Sequence, residues 1–288
     1  MSGNLPHVIM DVLQMFILLT ETLFIMAIIT PTGVRTAGVA STHCGSFDGT
    51  NDHFNITNNT NVNYFNSNES CTMSIWCRPD TAELACLFSI DDDNGWHHNK
   101  YIYTDTTGIY GRCIGQGQIA NVGYVAPYTG AWHHVVMTMD HSLSGSAGSG
   151  TTIVRLYIDG FLRSDSGKVS LSTITSNTDH GAIGMYHISN DSASGLAASG
   201  GSPGHYFDGL ISEVSTWNCA LNEGEVESIY NKGVPISLSS NSRDYKSASK
   251  LTAWWRFQNN ANDSSGRGSA YNATTNGVTF QTTNLPGA

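Results

Sequence analysis

Apolar and polar residues alternate in short runs along most of the chain, with a period of two. In "CTMSIWC" (71–77), Cys71, Met73, Ile75 and Cys77 share one face, and Thr72, Ser74 and Trp76 share the other. In "TIVRLYIDGFLRS" (152–164), Val154, Leu156 and Ile158 line one face while Ile153, Arg155 and Tyr157 line the opposite one. This is the pattern of strands with one buried side, because successive side chains point to opposite faces. Asp159-Gly160 then supplies the positive φ values of a tight hairpin. "AIGMYHIS" (182–189) and "GHYFDGLISEVSTW" (204–217) continue the series. Many short strands between turn residues predict an all-β sandwich or jelly roll.

Two segments break the period. "LNEGEVESIYNKG" (221–233) predicts one short helix near 222–232, with Asn222 as N-cap and Glu225 as its capping-box partner. Val226, Ile229 and Tyr230 make its apolar stripe, and Gly233 is the expected stop. Glu223, Glu225 and Glu227 read as structural: the first two point about 200° apart on a helix, and acids in a first turn favour the dipole. The other segment is "VIMDVLQMFILLTETLFIMAII" (8–29), long enough for a membrane helix. Met1 to His7 lacks the basic residues of a secretory signal. Asp11, Gln14, Glu21 and Thr22 form a polar stripe that suits contact with other helices. Residues 1–43 therefore read as a hydrophobic leader, anchor or assembly helix with its linker. Residues 44–288 read as one β domain.

Composition narrows the partners. Only 12% of residues are charged, the net charge is −10, and no basic run occurs. Nucleic acid is excluded as a partner, since phosphate contact needs clustered Lys and Arg. Six cysteines form no CxxC pair, which argues against a zinc ribbon or redox motif. They read either as disulfide partners or as small core hydrophobes. In "AWHHVVMTMD" (131–140), His133 and His134 face opposite sides of a strand, so they do not hold one ion together.

Taken in order, several segments resemble a laminin G-like domain of the concanavalin A-like lectin/glucanase superfamily, which also contains the pentraxins. They are "CGSFDGTNDHF" (44–54), "CTMSIWCRPD" (71–80), "GAWHHVVMTMD" (130–140), "VRLYIDG" (154–160) and "YFDGLISEVSTWNCALNEGEVESIYNKG" (206–233). "TAWWRFQNNANDSSGRGSA" (252–270) also matches, but out of place: such a segment usually precedes the "FDG" strand as the first strand. Here it either closes its own sheet in permuted order or adds a strand to a neighbouring copy. The resemblance implies a jelly roll of two antiparallel sheets, with Trp132 and one of His133 and His134 starting a core strand. Trp254 and Trp255 alternate faces, one in the core and the other nearer solvent.

The resemblance also implies function. Family members often bind glycans or proteins and frequently hold a structural calcium ion, which takes six to eight oxygen ligands. Asp48, Asp52 and Glu213 are the positions carried over as metal ligands, although Ser212 stands where the family commonly has Asp. Asx-type turns are the other reading of Asp48 and Asp52. The paired carboxylates of the glucanase relatives are absent from every strand-like stretch, so no catalysis is expected. The pentraxin disulfide is not expected either. The expected role is recognition or adhesion outside the cell or on a surface, with a glycan or cell-surface protein as partner. Sugar-stacking aromatics are sought in "DDDNGWHHNKYIY" (91–103), where Trp96, His97, His98 and Tyr101 lie, and at Tyr128. A structural subunit of a virion, surface layer or filament is the alternative. It would self-assemble through the N-terminal helix or C-terminal strand, with membrane contact through 8–29.

Overall fold

Two stacked antiparallel sheets carry the alternating runs in the computed structural model, which describes residues 38, 40–56, 70–91, 100–115, 118–143, 149–172, 180–186 and 204–287. The first sheet runs β10 (Phe161–Ser172), β9 (Ser149–Ile158), β8 (His133–Leu143), β3 (Cys71–Pro79), β12 (Asp208–Trp217), β1 (Cys44–Asp48) and β15 (Thr279–Gln281), with β13 (Leu251–Trp255) also paired to β12. The second runs β14 (Ala273–Asn276), β2 (His53–Ile56), β11 (His180–Ile183), β4 (Ala85–Asp91), β5 (Lys100–Thr104), β6 (Gly108–Gly115) and β7 (Gln118–Val125). Among the described residues one α-helix is present, α1 (Glu223–Tyr230), and no helix is long and apolar enough to cross a membrane. The apolar stretch 8–29 lies outside the described residues.

The inward faces are those the alternation marks. Cys71, Met73, Ile75 and Cys77 of β3 meet Val135, Met137 and Met139 of β8 and Val154, Leu156 and Ile158 of β9 in one inter-sheet core. A second cluster covers the outer face of the first sheet. There Val136, Tyr157, Trp217 and Trp254 pack under Val226, Ile229, Ile236 and Tyr245. That cover corrects one expectation. Trp254 and Trp255 do alternate faces, but neither lies near solvent, with exposures of 4% and 0%. Trp255 enters the inter-sheet core, and Trp254 is sealed beneath the segment that follows α1.

The helix opens with the full capping box, Asn222 accepting from the Glu225 amide while Glu225 accepts from the Asn222 amide. It stops before the expected glycine. Asn231 takes the left-handed conformation (φ 45°) and donates its side-chain amide to the Val234 carbonyl, so Asn rather than Gly233 ends the helix. Asp159 (φ 55°) and Gly160 (φ 80°) form the hairpin turn between β9 and β10.

The permuted segment closes its own fold. β13 pairs with β12, β14 with β2 and β15 with β1, all antiparallel and within the chain. Along one edge of β12, residues 208–211 pair with β1 and residues 214–217 pair with β13. The late strand thus sits end to end with the first one.

None of the six cysteines forms a disulfide; five are buried and Cys219 is half-buried. Burial pushes the Cys113 thiol up to about 11 and the Cys77 and Cys86 thiols higher still, which suppresses the reactive thiolate. Reductant is therefore expected to leave the melting temperature unchanged. A thiol reagent should modify Cys219 first and all six only after denaturation; disulfide-linked peptides in a non-reducing digest would overturn this.

Candidate functional site

The outer face of the second sheet concentrates tyrosines. Tyr101 and Tyr103 on β5, Tyr110 on β6 and Tyr186 after β11 form a cluster with Cys86 and Ile114 on the side away from the main core. The cause is local: in "KYIYT" and "GIYGRCIG" the aliphatic residues Ile102 and Ile109 turn inward, so the tyrosines and Arg112 turn outward. Tyr103 and Tyr110 are stacked at 5.3 Å with 24° between planes. Tyr110, part exposed, lies against Gly123 of β7, where a Cβ would come within 2.4 Å of its ring. Gly123 thus gives this ring its place.

Arg112 organises the face. Its Nη1 donates to the Tyr101 hydroxyl at 3.0 Å, its Nη2 to the Tyr103 hydroxyl at 3.4 Å, and its Nε to the Asn121 side-chain oxygen at 2.5 Å. Burial raises the Tyr103 phenol above its ordinary range, so it stays a neutral hydroxyl. The result is a partly open aromatic surface edged by a guanidinium and an exposed amide, the chemistry that stacks on a sugar ring and hydrogen-bonds its hydroxyls.

Of the expected stacking residues only Tyr101 and Tyr128 are among the described ones, and neither offers an open ring. Trp96, His97 and His98 lie outside the described residues. Tyr101 is 0% exposed, wedged edge-on to Tyr186 at 5.0 Å, and presents no open ring face. Tyr128, 4% exposed, belongs to the inter-sheet core and donates its hydroxyl to the Asp105 carbonyl. Tyr101 lies on strand β5, whereas Tyr128 does lie on a loop, between β7 and β8, with its ring turned into the core.

The three residues carried over as calcium ligands do not form one donor set. Asp48 accepts from the amides of Thr50 and Asn51, the Asx-type turn, and these bonds hold its carboxyl below the ordinary range. Asp52 accepts from the Asp48 amide, and burial followed by the Asp48 charge raises its carboxyl. Glu213 points into a different environment, bonded to Ser41, Trp254 and Arg256. Ser212, at the position where the family has Asp, donates to the Arg256 carbonyl. Among the described residues no three His, Cys, Asp or Glu side chains converge as metal ligands.

The paired histidines divide as strand geometry demands. His133 meets the Asp159 carboxylate at 2.9 Å, and Asp159 also accepts from the His134 amide, which ties β8 to the hairpin turn. His134 is 1% exposed, stacked on Trp76 at 4.8 Å and bonded to the Ser74 hydroxyl. Burial lowers its pKa to about 4, which keeps it neutral. Trp132 donates to the Asn284 carbonyl. The motif joins strands.

Comparison with solved structures gives the same architecture. A proposed carbohydrate-binding protein from Bacteroides ovatus superposes with a TM-score of 0.52 at 17% identity, over 86% of this chain and 62% of its own. The chain thus spans less than two thirds of that protein's length. Weaker likenesses are a heptameric SAP-like pentraxin from Limulus polyphemus (TM-score 0.44, 16% identity, 67% of this chain and 84% of the other) and mouse laminin α1 domains LG4-5 (0.42, 11%, 67% and 46%). No curated protein matches the sequence. Residues 48–227 match the Laminin G 3 family, and with its two-sheet laminin G-like jelly roll the chain belongs to the concanavalin A-like lectin/glucanases superfamily.

Proposed function

We propose that this chain is a non-catalytic recognition module that binds glycans of exposed surfaces outside the cell, through the outer face of the second sheet. The observation that carries the reading is the stacked Tyr103–Tyr110 pair, held by Arg112 and bordered by Asn121. A sugar needs a flat apolar platform for its C–H face and convergent donors and acceptors for its hydroxyls. The Bacteroides ovatus protein of the same fold, itself proposed to bind carbohydrate, supports the ligand class.

The test is a screen of the full chain against neutral oligosaccharides, followed by NMR titration of the hit. Amide shifts are expected on β5, β6 and β7. Tyr110→Ala should weaken binding about tenfold, the worth of one aromatic stacking contact. Gly123→Ala should act on the same ring from below. A ligand whose shifts map away from these strands, or a Tyr110→Ala variant of unchanged affinity, removes this assignment. Release of reducing ends from any bound glycan would remove the non-catalytic part.

A further inference from the structure

On the flank where the edge strands β7 and β10 approach each other, one arginine has two aromatic neighbours and, among the described residues, no acid partner. The Arg163 guanidinium carbon lies 4.8 Å from the Tyr124 ring centroid and 5.4 Å from that of Phe161. Tyr124 leans on the edge of the inter-sheet core and is fixed there, whereas Phe161 is 62% exposed. The pairing of β10 with β9 slips between Leu162 and Ser164, which leaves Arg163 as the extra residue of a bulge. Bulges re-aim a side chain, and here the device turns Arg163 onto the rings.

The nearby carboxylates are engaged elsewhere. Asp165 takes the Arg155 Nε at 2.9 Å and the Gly167 amide, and Asp159 takes His133 and the His134 amide. Among the described residues no hydrogen bond or ion pair is made by the Arg163 guanidinium, in a chain with a net charge of −10. Its donor fork is pre-oriented by the two rings and faces solvent beside a bare phenyl ring.

We infer that Phe161, Arg163 and Tyr124 form a second ligand site, separate from the outer-face tyrosines, for a sugar residue bearing a single carboxylate. The Phe161 ring offers a flat surface to the C–H face of a pyranose. The guanidinium matches a carboxylate in a bidentate pair, and the aromatic contacts limit the rotamer freedom lost on binding. A β-strand ligand is disfavoured at this edge because β10 carries a second slip, between Asp165 and Lys168, so an added strand would lose register. A polyanionic chain is disfavoured by the net negative charge, which repels it at long range.

The test uses the full chain with a glucuronate-containing tetrasaccharide and the same tetrasaccharide after reduction of its carboxyl group. Wild-type protein should bind the acidic form and shift the Arg163 Nε–H resonance. It should bind the reduced form tenfold or more weakly, the worth of a charge-assisted pair. Arg163→Gln should lose that preference, Phe161→Ala, also at an exposed position, should weaken both forms, and added salt should weaken the wild-type complex with the acidic form. Equal affinity for the two forms, no binding of the acidic form, or an Arg163→Gln variant that keeps the preference would overturn the site. Tyr110→Ala separates the two proposals: it should spare acid selectivity, so loss of one site leaves the other standing.

Discussion

Replacing Glu213 with alanine is expected to cost about 3–5 kcal/mol, the range for removing one partner of a buried ion pair. Glu213 is 3% exposed and sits in a β-bulge of β12 at a left-handed φ of 50°. Its carboxylate accepts from the Ser41 hydroxyl at 2.9 Å, the Trp254 indole at 2.8 Å and the Arg256 Nε at 3.2 Å. Arg256 in turn lies 5.0 Å from the Trp254 ring. One side chain therefore joins the segment entering β1, the central strand β12 and the late strand β13. Alanine would leave the arginine, the indole and the hydroxyl without their acceptor. A loss of unfolding free energy in urea smaller than about 1 kcal/mol would contradict this account.

The same residue sets a pH signature opposite to that of a typical surface acid. Burial pushes its carboxyl from 4.5 up to about 7, against the lowering pull of Arg256, Ser41 and Trp254. Between those values the folded state keeps a proton that the unfolded chain has released. The pH-dependent part of its contribution is thus fully present below about pH 4.5 and is lost as pH rises to about 7. Glu213→Gln, which cannot titrate, should remove this slope, so the stability difference between wild type and variant should change by on the order of 3 kcal/mol across the window. A difference that stays flat from about pH 4 to about pH 8 would show that the site is not the source.

Strand identity was legible because it depends only on local alternation, and β3 and β9 bury the very faces the period marks. The capping box of α1 was legible for the same reason. Which outward face would be covered was not legible. Trp254 and Tyr101 have the alternation of exposed residues, yet a long connection covers one and neighbouring tyrosines cover the other. The surroundings of Glu213 were hidden for a sharper reason. The one extra residue between Ser212 and Ser215 breaks the count of two, so its neighbours could not be read by alternation. The Arg163 bulge hid its rings in the same way. The tyrosine face was present in "KYIYT" and "GIYGRCIG", but it required knowing that β5, β6 and β7 lie side by side.

A chain ending at Ser249 is expected not to fold. The lost segment supplies β13, β14 and β15, which pair within the molecule in both sheets. It also removes core that nothing else fills. Trp255 is 0% exposed, edge-on to Phe88 at 6.2 Å, and donates to the Tyr271 carbonyl. Phe257 is stacked on Phe54 at 4.2 Å. Each such aromatic is worth about 3–5 kcal/mol when truncated to alanine, and two of them rival the roughly 5–15 kcal/mol that holds a whole domain. The truncated chain should show no cooperative melting and no dispersed amide spectrum. Strand exchange between copies makes the contrary forecast, a truncated chain that folds and loses only its assembly. An unaltered melting curve for the truncated protein would therefore place β13 outside its own sheet and return the permuted segment to a neighbour.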